Sequence, residues 1–308
     1  MKEIVSWQNG KLIPNSKIGC SLFDAHYFFG WAVFESLRTY NHKVFLIDDH
    51  IDRLYRSAQL AEIDFDLSKK RLEAAIYNIL NKNNKFFKDD EYRIMVFASP
   101  GLFRIYEDMG KIESDVTINV TTASRYAMQI HPFLEKGFTG LISSQRQIPS
   151  RFLDPKIKSC SRLHLGIADA EAAHYGEGVL PILLDEHGHI AESSGANIGF
   201  LKDGKLCLPQ WENVLHGCTI DFLSEFVWKG DVIYGDWSVY DLLNSEGIIF
   251  TSTFLGVVPC YEIILRNKHH KLKNIDMSNM NALVDGFSEA VDVDIKKQWK
   301  SWYEKKSR

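Results

Sequence analysis

The sequence has few cysteines and no long apolar run. Its five cysteines are scattered without a CxxC pair, which argues against a zinc site or a disulfide framework and fits a reducing compartment. No apolar stretch approaches the ~20 residues that a membrane span needs. The charged, strand-like start MKEIVSWQNGKLIP is unlike a signal peptide. A cytoplasmic protein without membrane attachment is therefore expected.

A strong charge of one sign is also missing, because the formal net charge is −4 over 308 residues. Basic residues form no stripe beyond the terminal KKQWKSWYEKKSR, so nucleic acid is not an expected partner. The sequence contains no GxGxxG after a strand, no Walker A motif, no HExxH and no GxSxG. Dinucleotide-binding, P-loop, zinc-protease and serine-hydrolase functions are therefore unsupported, and no metal is expected.

What is present indicates an α/β protein with a sizeable core. Hydrophobic residues make up 45% and charged residues 25% of the chain, as in ordinary globular proteins. Strand and helix patterns mix from start to end, and the length favours two domains. The polar stretch TTASRYAMQIHPF resembles a connector, so we predict domains at residues 1–125 and 126–308.

Turn signals and hydrophobic spacing predict the local structure. Asn9-Gly10 predicts a type I′ hairpin, and a second turn is predicted near Asn41-His42 between two strands. Amphipathic helices are predicted for DDHIDRLYRSAQLAEI and SKKRLEAAIYNILNKNN, and strands for YRIMVFASPG and DVTINVTTAS. Residues 179–209 predict a three-strand meander, with Glu192 in the strand HIAESSG. A helix introduced by Gly217 and an apolar β-rich stretch at 247–264 follow, and the chain ends on helices.

Two lysines, Lys156 and Lys158, stand just before a small, apolar, helical stretch. Lysine serves Schiff-base chemistry because its pKa falls readily when the amine is desolvated. Most lysines, however, are surface charge. The residues alone leave both interpretations open.

Other residues supply the remaining parts of a possible cofactor site. A carboxylate in the apolar surroundings of Glu192 costs free energy unless it meets a cation, although an edge-strand glutamate is the plain alternative. Arg53 shares a helix face with His50 and Ser57, either as a rim arginine or as an anion ligand.

An anion would also suit two other places in the second half. Gly217, Cys218 and Thr219 begin a helix, where N–H groups and the helix dipole favour negative charge. Ser252 and Thr253 end a strand, where their hydroxyls could meet a phosphate. A lysine imine, a carboxylate at a ring nitrogen and a phosphate cup are together what a pyridoxal-phosphate site requires.

The order of these pieces resembles the class IV (fold type IV) pyridoxal-phosphate enzymes, which include branched-chain aminotransferases, D-amino acid aminotransferases and aminodeoxychorismate lyases. The resemblance runs from about Trp7 to Ile263. FDAHYFFGWAVFESLRTY looks like the family's opening segment, and DDHIDRLYRSAQLA looks like its phosphate-arginine helix. KIKS resembles the Schiff-base segment, and IAESSGAN resembles the E-G-x-x-x-N segment. LHGCT and TSTFLGVVP resemble the remaining phosphate-binding loops.

The resemblance implies pyridoxal 5′-phosphate on Lys158, which is the catalytic residue, with Lys156 as surface charge. It implies that Glu192 holds the pyridine nitrogen. The other cofactor-binding positions that it implies are Arg53, Asn197, Gly217, Cys218, Thr219, Ser252 and Thr253. It also implies a smaller N-terminal α/β domain, a larger C-terminal pseudo-barrel α/β domain that bears the lysine, and a homodimer with the site near the interface.

The implied activity is ping-pong transfer of an amino group between an amino acid, hydrophobic or branched-chain, and a 2-oxo acid. A substrate carboxylate prefers a bidentate arginine. Arg104 resembles the carboxylate-reading arginine of D-amino acid enzymes, and Arg38 resembles a branched-chain-type position. The substrate-binding candidates are Phe34, Arg38, Arg93 and Arg104, and the aromatic residues Phe28, Phe29 and Trp31 could extend an apolar pocket around Phe34.

Several departures leave alternatives open. Ser193 replaces a usual Gly, Ser161 a common Asn and Ile220 a frequent Arg, and no tyrosine follows Lys158 to bond the cofactor's phenolic oxygen. KSCSRL is similar to the lyase segment K-x-x-N-R-L, so the alternative activity is aminodeoxychorismate lyase, which yields 4-aminobenzoate and pyruvate. VFESLR argues against the lyase, and a non-catalytic family member is the third hypothesis.

Overall fold

The computed structural model describes residues 3–109 and 114–307. The chain forms two compact units. The first contains Met1–Arg125 and Ile157–Arg162, and the second contains Tyr126–Lys156 and Leu163–Arg308. By its contacts, the short segment around Lys158 therefore belongs to the first unit. The division into domains 1–125 and 126–308 stays a prediction.

The first unit is built on a six-stranded antiparallel sheet with the order β2-β1-β6-β5-β3-β4. Its strands are β1 (Val5–Gln8), β2 (Lys11–Pro14), β3 (Val33–Tyr40), β4 (Lys43–Val44), β5 (Tyr92–Ser99) and β6 (Asp115–Thr122). Its helices are α1 (Ala25–Phe29), α2 (Ile47–Leu60) and α3 (Lys69–Asn83).

Two tight turns in this unit confirm their sequence signals. Asn9 and Gly10 have φ angles of 46° and 86°, and Asn41 and His42 have φ angles of 50° and 58°. Positive φ at both central residues is the requirement of a type I′ turn, whose twist matches that of paired strands. The turns join β1 to β2 and β3 to β4.

One face of this sheet forms the core of the first unit. Val33 and Leu37 of β3 lie on that face and belong to the same buried cluster as Leu54 of α2 and Ile76 of α3. Because side chains alternate along a strand, the even-numbered residues of β3 lie on the opposite face. Phe34 and Arg38 are among them.

The second unit is built on a mixed eight-stranded sheet in which β11-β10-β9-β12-β13-β7-β8 follow one another and β14 also pairs with β13. Its strands are β7 (Phe138–Arg146), β8 (Val179–Leu184), β9 (Asn197–Lys202), β10 (Lys205–Pro209), β11 (Val232–Gly235), β12 (Gly247–Ser252), β13 (Gly256–Leu265) and β14 (Lys268–Lys271). Its helices are α4 (Ala127–Lys136), α5 (Leu163–Ala173), α6 (Cys218–Phe222), α7 (Val239–Leu243), α8 (Met277–Ala290) and α9 (Ile295–Lys306). Helices and sheets in both units confirm the α/β prediction.

The connector predicted for TTASRYAMQIHPF is wrong, because most of this stretch is structured. β6 continues to Thr122, and α4 begins at Ala127. Ala127, Ile130 and Leu134 are buried at helical spacing, so this stretch carries the apolar stripe of an amphipathic helix. The polar residues between them masked the stripe.

The predicted three-strand meander is confirmed only in its second half, where β9 and β10 form an antiparallel hairpin. β8 pairs in parallel with β7, whereas β9 lies between β10 and β12. β8 is buried at four consecutive residues, as expected of a strand that pairs in parallel. Ile190 and Glu192 form only isolated bridges, so Glu192 lies in a connecting segment and not in a regular strand.

A helix that crosses a lipid bilayer must be both long and apolar. Within residues 3–109 and 114–307, none of them combines the length and the hydrophobicity needed to cross a membrane.

Candidate active site

The backbone of Lys158 is fixed beside β3. Its carbonyl accepts a hydrogen bond from Phe34 N at 3.0 Å, and Cys160 N donates to Ala32 O at 2.8 Å. Its own N–H donates to Ser57 Oγ of α2 at 3.1 Å. The segment is thus held against the start of β3, where Ser159 forms an isolated antiparallel bridge with Val33.

The Lys158 side chain reaches an aromatic ring. Its Nζ lies 4.9 Å from the ring centroid of Phe34, and the guanidinium of Arg162 lies 5.2 Å from the same centroid. Lys158 is half-buried, whereas Lys156 is exposed. Burial raises the pKa of Cys160 to about 11 despite the nearby cations Arg162 and Lys158. At neutral pH this thiol is therefore protonated and does not compete as a nucleophile.

The face of β3 that carries Phe34 also carries arginines. In the register with β5, Phe34 lies opposite Phe97 and Arg38 lies opposite Arg93. The Phe34 and Phe97 rings stack with their centroids 5.8 Å apart. Directly opposite residues of an antiparallel pair lie on the same face, so the structure brings Arg38 and Arg93 together on the face of Phe34.

The three arginines proposed for a substrate carboxylate differ in their surroundings. Arg38 is fully buried, its guanidinium lies 4.4 Å from the ring centroid of Tyr40, and its Nε donates to Thr39 O at 3.3 Å. Arg93 is half-buried, and Arg104 is exposed in a 3-10 turn after β5.

Arg53 forms a buried ion pair with Glu35, a residue on the core-facing side of β3. Its Nε and Nη2 donate to the two carboxylate oxygens at 2.7 and 2.8 Å, and His50 Nδ1 lies 2.7 Å from Glu35 Oε2. Burial alone would raise the pKa of the Glu35 carboxyl, but Arg53 and then His50 outweigh it and hold the pKa far below its usual range. Glu35 is therefore ionised at neutral pH and fixes the orientation of the guanidinium.

In the second unit, Glu192 is buried and accepts hydrogen bonds from two sides. Gln147 Nε2 donates to Glu192 Oε1 at 2.5 Å, and Leu215 N donates to Oε2 at 3.3 Å. Asn197 Nδ2 in turn donates to Leu215 O at 2.8 Å. Donors on both oxygens favour the charged carboxylate.

The remaining predicted residues of this unit gather around the start of α6. The Thr219 and Thr253 hydroxyl oxygens lie 3.2 Å apart, and both residues are buried. Gly217 caps α6, and a Cβ at this position would lie 1.8 Å from Asn197 Oδ1. Cys218 is the first residue of α6.

The end of β12 completes this group. Thr251 of β12 lies opposite Asn197 of β9, so Ser252 and Thr253 follow at the same end of the sheet. The hydroxyl of Ser252 accepts a hydrogen bond from Leu255 N at 3.2 Å, which ties it into the turn between β12 and β13.

Comparison with known proteins identifies the family. The family model described as amino-transferase class IV matches residues 32–263. The chain belongs to this family. The match confirms the predicted enzyme class, and with it the transfer of an amino group and the use of pyridoxal 5′-phosphate. The lyase alternative is not favoured.

Individual relatives of this class IV aminotransferase carry two kinds of name. A protein named as a branched-chain-amino-acid aminotransferase from Methanocaldococcus jannaschii is 30% identical over 84% of this chain and 89% of its own. D-alanine aminotransferase from Listeria innocua is 25% identical over 83% of this chain and 86% of its own.

A solved structure confirms the fold type. The branched-chain amino acid aminotransferase of Thermobaculum terrenum in its PLP-form superposes with a TM-score of 0.79 at 22% identity, over 98% of this chain and 97% of its own. At this identity the likeness concerns the fold alone.

The residues of this aminotransferase fit the cofactor. Two buried threonine hydroxyls beside the start of a helix supply donors that suit a phosphate. Glu192 is a buried carboxylate whose oxygens already accept N–H donors, and such a group suits a protonated ring nitrogen. The Lys158 amine lies over the Phe34 ring, and a lysine amine is the group that forms a Schiff base with an aldehyde.

Sequence reasoning missed contacts that join distant parts of the chain. It identified Arg53 but not its partner Glu35, although a charged residue between apolar neighbours in VFESL is a signal that such a partner exists. It identified Glu192 but not Gln147, which precedes it by 45 residues. No spacing rule connects two loop residues at that distance.

Replacing Arg53 with methionine is expected to lower the free energy of unfolding by about 3–5 kcal/mol at neutral pH, because Glu35 would remain as a buried charge without its main counter-charge. Urea unfolding measures the change. The double variant Arg53→Met/Glu35→Leu is expected to recover most of the loss. A loss below about 1 kcal/mol in the single variant, the value typical of exposed pairs, would contradict this role.

The same pair gives a pH dependence of known sign. Because the pKa of Glu35 is depressed in the folded state, its contribution is fully present above the unfolded value of about 4.3 and is lost as the pH falls toward the folded pKa. The stability advantage of the wild type over Glu35→Gln should therefore shrink below about pH 4.3. An advantage that stays constant down to the acid transition would exclude an ionised Glu35.

Replacing Gly217 with alanine is expected to displace the Asn197 side chain and to lower the free energy of unfolding by about 1–3 kcal/mol, because the added Cβ overlaps Asn197 Oδ1. Gly195→Ala is the matched control, since within the described part of the chain a Cβ there meets nothing within 4 Å. Thermal or urea unfolding compares the two variants. Equal losses of stability would show that the contact with Asn197 does not exclude a side chain at position 217.

Proposed function

We propose that this class IV aminotransferase acts on branched-chain or other hydrophobic amino acids and their 2-oxo acids. The observation that carries the proposal is the position of Lys158. Its amine lies over Phe34 of β3, on the sheet face that also bears Arg38 of β3 and Arg93 of β5. The name of the Methanocaldococcus jannaschii relative supports the substrate class.

The cofactor-binding roles follow from the chemistry of each residue. Lys158 carries the cofactor's aldehyde carbon, and Glu192 meets the ring nitrogen. Arg53, Thr219, Ser252, Thr253 and the amides near Gly217 and Cys218 hold the phosphate, and Asn197 keeps the loop before α6 in place. Glu35 binds the Nε–Nη2 edge of Arg53 and fixes the direction of its guanidinium.

The reaction requires a group that moves a proton. Pyridoxal 5′-phosphate supplies an aldehyde that condenses with amines and a ring that accepts an electron pair. With the cofactor bound, Lys158 Nζ would take the proton from the substrate Cα and return it on the cofactor side, for which Nζ must be neutral. Glu192, held as a carboxylate by Gln147 and Leu215, keeps the proton on the ring nitrogen.

On the substrate side, apolar and cationic residues share one strand face. Phe34, stacked on Phe97, contacts the apolar side chain. Arg93 binds the substrate carboxylate, because it is half-buried, whereas Arg38 is fully buried against the Tyr40 ring. Arg104, exposed in the turn after β5, is the second candidate for the carboxylate.

We also propose a homodimer in a reducing, cytoplasmic environment. The five cysteines all lie in the described residues and form no disulfide there, which fits such a compartment. Tyr27, Phe28 and Phe29 of α1 are each more than half exposed. Large exposed aromatic surfaces are typical of protein interfaces.

The decisive experiment for the activity traps the lysine. Protein loaded with pyridoxal 5′-phosphate is reduced with borohydride and mapped by peptide mass spectrometry, and the adduct is expected on Lys158. Lys158→Ala is expected to lose transamination by at least about 1,000-fold, because both the attachment point and the proton carrier are removed. Lys156→Ala is the matched control and should retain activity.

Substrate assays complete the test. Leucine, isoleucine and valine are offered in both stereochemical forms, together with D-alanine and aminodeoxychorismate. Conversion of the branched-chain amino acids to their 2-oxo acids supports the proposal. Activity confined to D-alanine would contradict the substrate class, pyruvate release from aminodeoxychorismate would establish the lyase, and an adduct on Lys156 would refute the lysine assignment.

Replacing Phe28 with serine is expected to shift the protein from dimer toward monomer, because it removes exposed aromatic area from the proposed interface. Sedimentation velocity measures the change. Tyr77→Ser is the matched control, since Tyr77 is an exposed aromatic residue of α3. A wild-type protein that is monomeric and active would rule out the dimer.

A further inference from the structure

Glu192 lies in the segment that connects β8 to β9. The residues between β8 and β9 form isolated bridges rather than a continuous strand, and Glu192 itself makes one of them, with Asn197. A side chain that must meet a ring nitrogen needs an orientation fixed to a fraction of an ångström. Leu183 of β8 holds the backbone here, because its N–H donates to Glu192 O at 2.9 Å and its carbonyl accepts from Ala191 N at 3.0 Å. The orientation of the Glu192 side chain then depends on what its carboxylate contacts.

Gln147 contacts this carboxylate from the end of a regular strand, β7. It directly follows β7, its N–H donates to Leu184 O at the end of β8 at 2.9 Å, and its side chain is buried. Its Nε2 donates to Glu192 Oε1 at 2.5 Å. With Leu215 N on Oε2, the carboxylate is held from two sides.

His164 continues the chain of hydrogen bonds. Its Nε2 lies 3.0 Å from Gln147 Oε1. A carboxylate can only accept, so the amide NH₂ of Gln147 must face Glu192 and its carbonyl oxygen must face His164. His164 must therefore donate from Nε2, and this requirement prevents Gln147 from turning over.

His164, the last residue in this series of hydrogen bonds, lies beside the packed core of the second unit. His164 is the second residue of α5, and its neighbours Leu165 and Ala168 form a buried cluster with Leu183 of β8. The positions of His164 and Gln147 are thus set by α5 and by the end of β7. Through them, these two elements fix the position of the Glu192 carboxylate.

We infer that Gln147 and His164 are positioning residues for Glu192: His164 orients the Gln147 amide, and Gln147 holds the carboxylate in the direction that the cofactor's ring nitrogen requires. This inference rests on the proposed role of Glu192. A protein side chain that hydrogen bonds already hold in its bound orientation binds a cofactor more tightly than one that must be ordered on binding.

The test measures pyridoxal 5′-phosphate binding and the absorption spectrum of the bound cofactor at one fixed pH. Gln147→Leu is expected to raise the dissociation constant of the cofactor about tenfold, the value of one hydrogen bond to a charged group. It should also change the ratio of the cofactor's absorption bands toward that of Glu192→Ala. Gln145→Leu, at a half-buried position near the end of the same strand, is the matched control.

His164→Phe is expected to produce a smaller change of the same kind, with the exposed His174→Phe as its control. Because His164 acts through Gln147, the double variant Gln147→Leu/His164→Phe should bind the cofactor no more weakly than Gln147→Leu alone. Additive losses would overturn the link between the two residues. Unfolding of each variant without cofactor shows whether a loss of binding merely follows a loss of folding.

The outcomes separate this inference from the proposed function. If Gln147→Leu equals Gln145→Leu in affinity and spectrum while Glu192→Ala binds weakly, the positioning role is wrong and the role of Glu192 stands. If Glu192→Ala binds as tightly as the wild type, the role of Glu192 is wrong and the inference falls with it. Wild-type protein that binds no pyridoxal 5′-phosphate would overturn both.

Discussion

A buried carboxylate must be met by hydrogen-bond donors or cations, and each unit of this protein contains one that organises its surroundings. In the first unit, Glu35 binds the guanidinium of Arg53 and the imidazole of His50. In the second, Glu192 accepts from Gln147 and from the backbone of Leu215. The cost of leaving either carboxylate without donors exceeds the energy of an ordinary surface contact. The side chains around each one are therefore tightly constrained.

The two carboxylates differ in what satisfies them, and this difference suits different tasks. Glu35 faces a full positive charge, and the pKa of its carboxyl is held far below the usual range. It is suited to fixing an arginine. Glu192 accepts hydrogen bonds from neutral N–H donors at both oxygens, and such donors favour the charged carboxylate. We propose that this carboxylate meets the protonated ring nitrogen of the cofactor.

Lys158 depends on β3 in a comparable way. The strand binds the lysine backbone through Phe34 and supplies the ring over which the amine lies. Its neighbour Cys160 stays protonated because burial raises the pKa of the thiol to about 11. The thiol therefore does not compete at neutral pH with the nucleophilic role that we propose for Lys158.

Much of the fold could be predicted from local patterns, because turns and helices are determined by neighbouring residues. Asn9-Gly10 and Asn41-His42 adopt the positive φ angles that their turns require, and α2 and α3 follow their apolar spacing. The predictions that failed concern residues with mixed signals. The polar residues of 121–133 hid the apolar stripe of α4, and β8 was assigned to one meander with β9 and β10 although its ladder is formed with β7. Strand partners are chosen by the whole sheet, and no local signal states them.

The same division applies to the candidate site. The sequence by itself determined the family, since the order of motifs from FESLR to TSTFLGVVP is a property of the chain. It also singled out Lys158, Arg53 and Glu192 as candidates. Only the tertiary structure decided that Arg53 is paired with Glu35, that Arg38 is fully buried while Arg93 is half-buried, and that Gln147 and His164 stand behind Glu192. The hydrogen bonds among these residues join positions 17 to 45 apart in the sequence. A hydrogen bond depends on distance and direction in space, which the spacing along a chain does not contain.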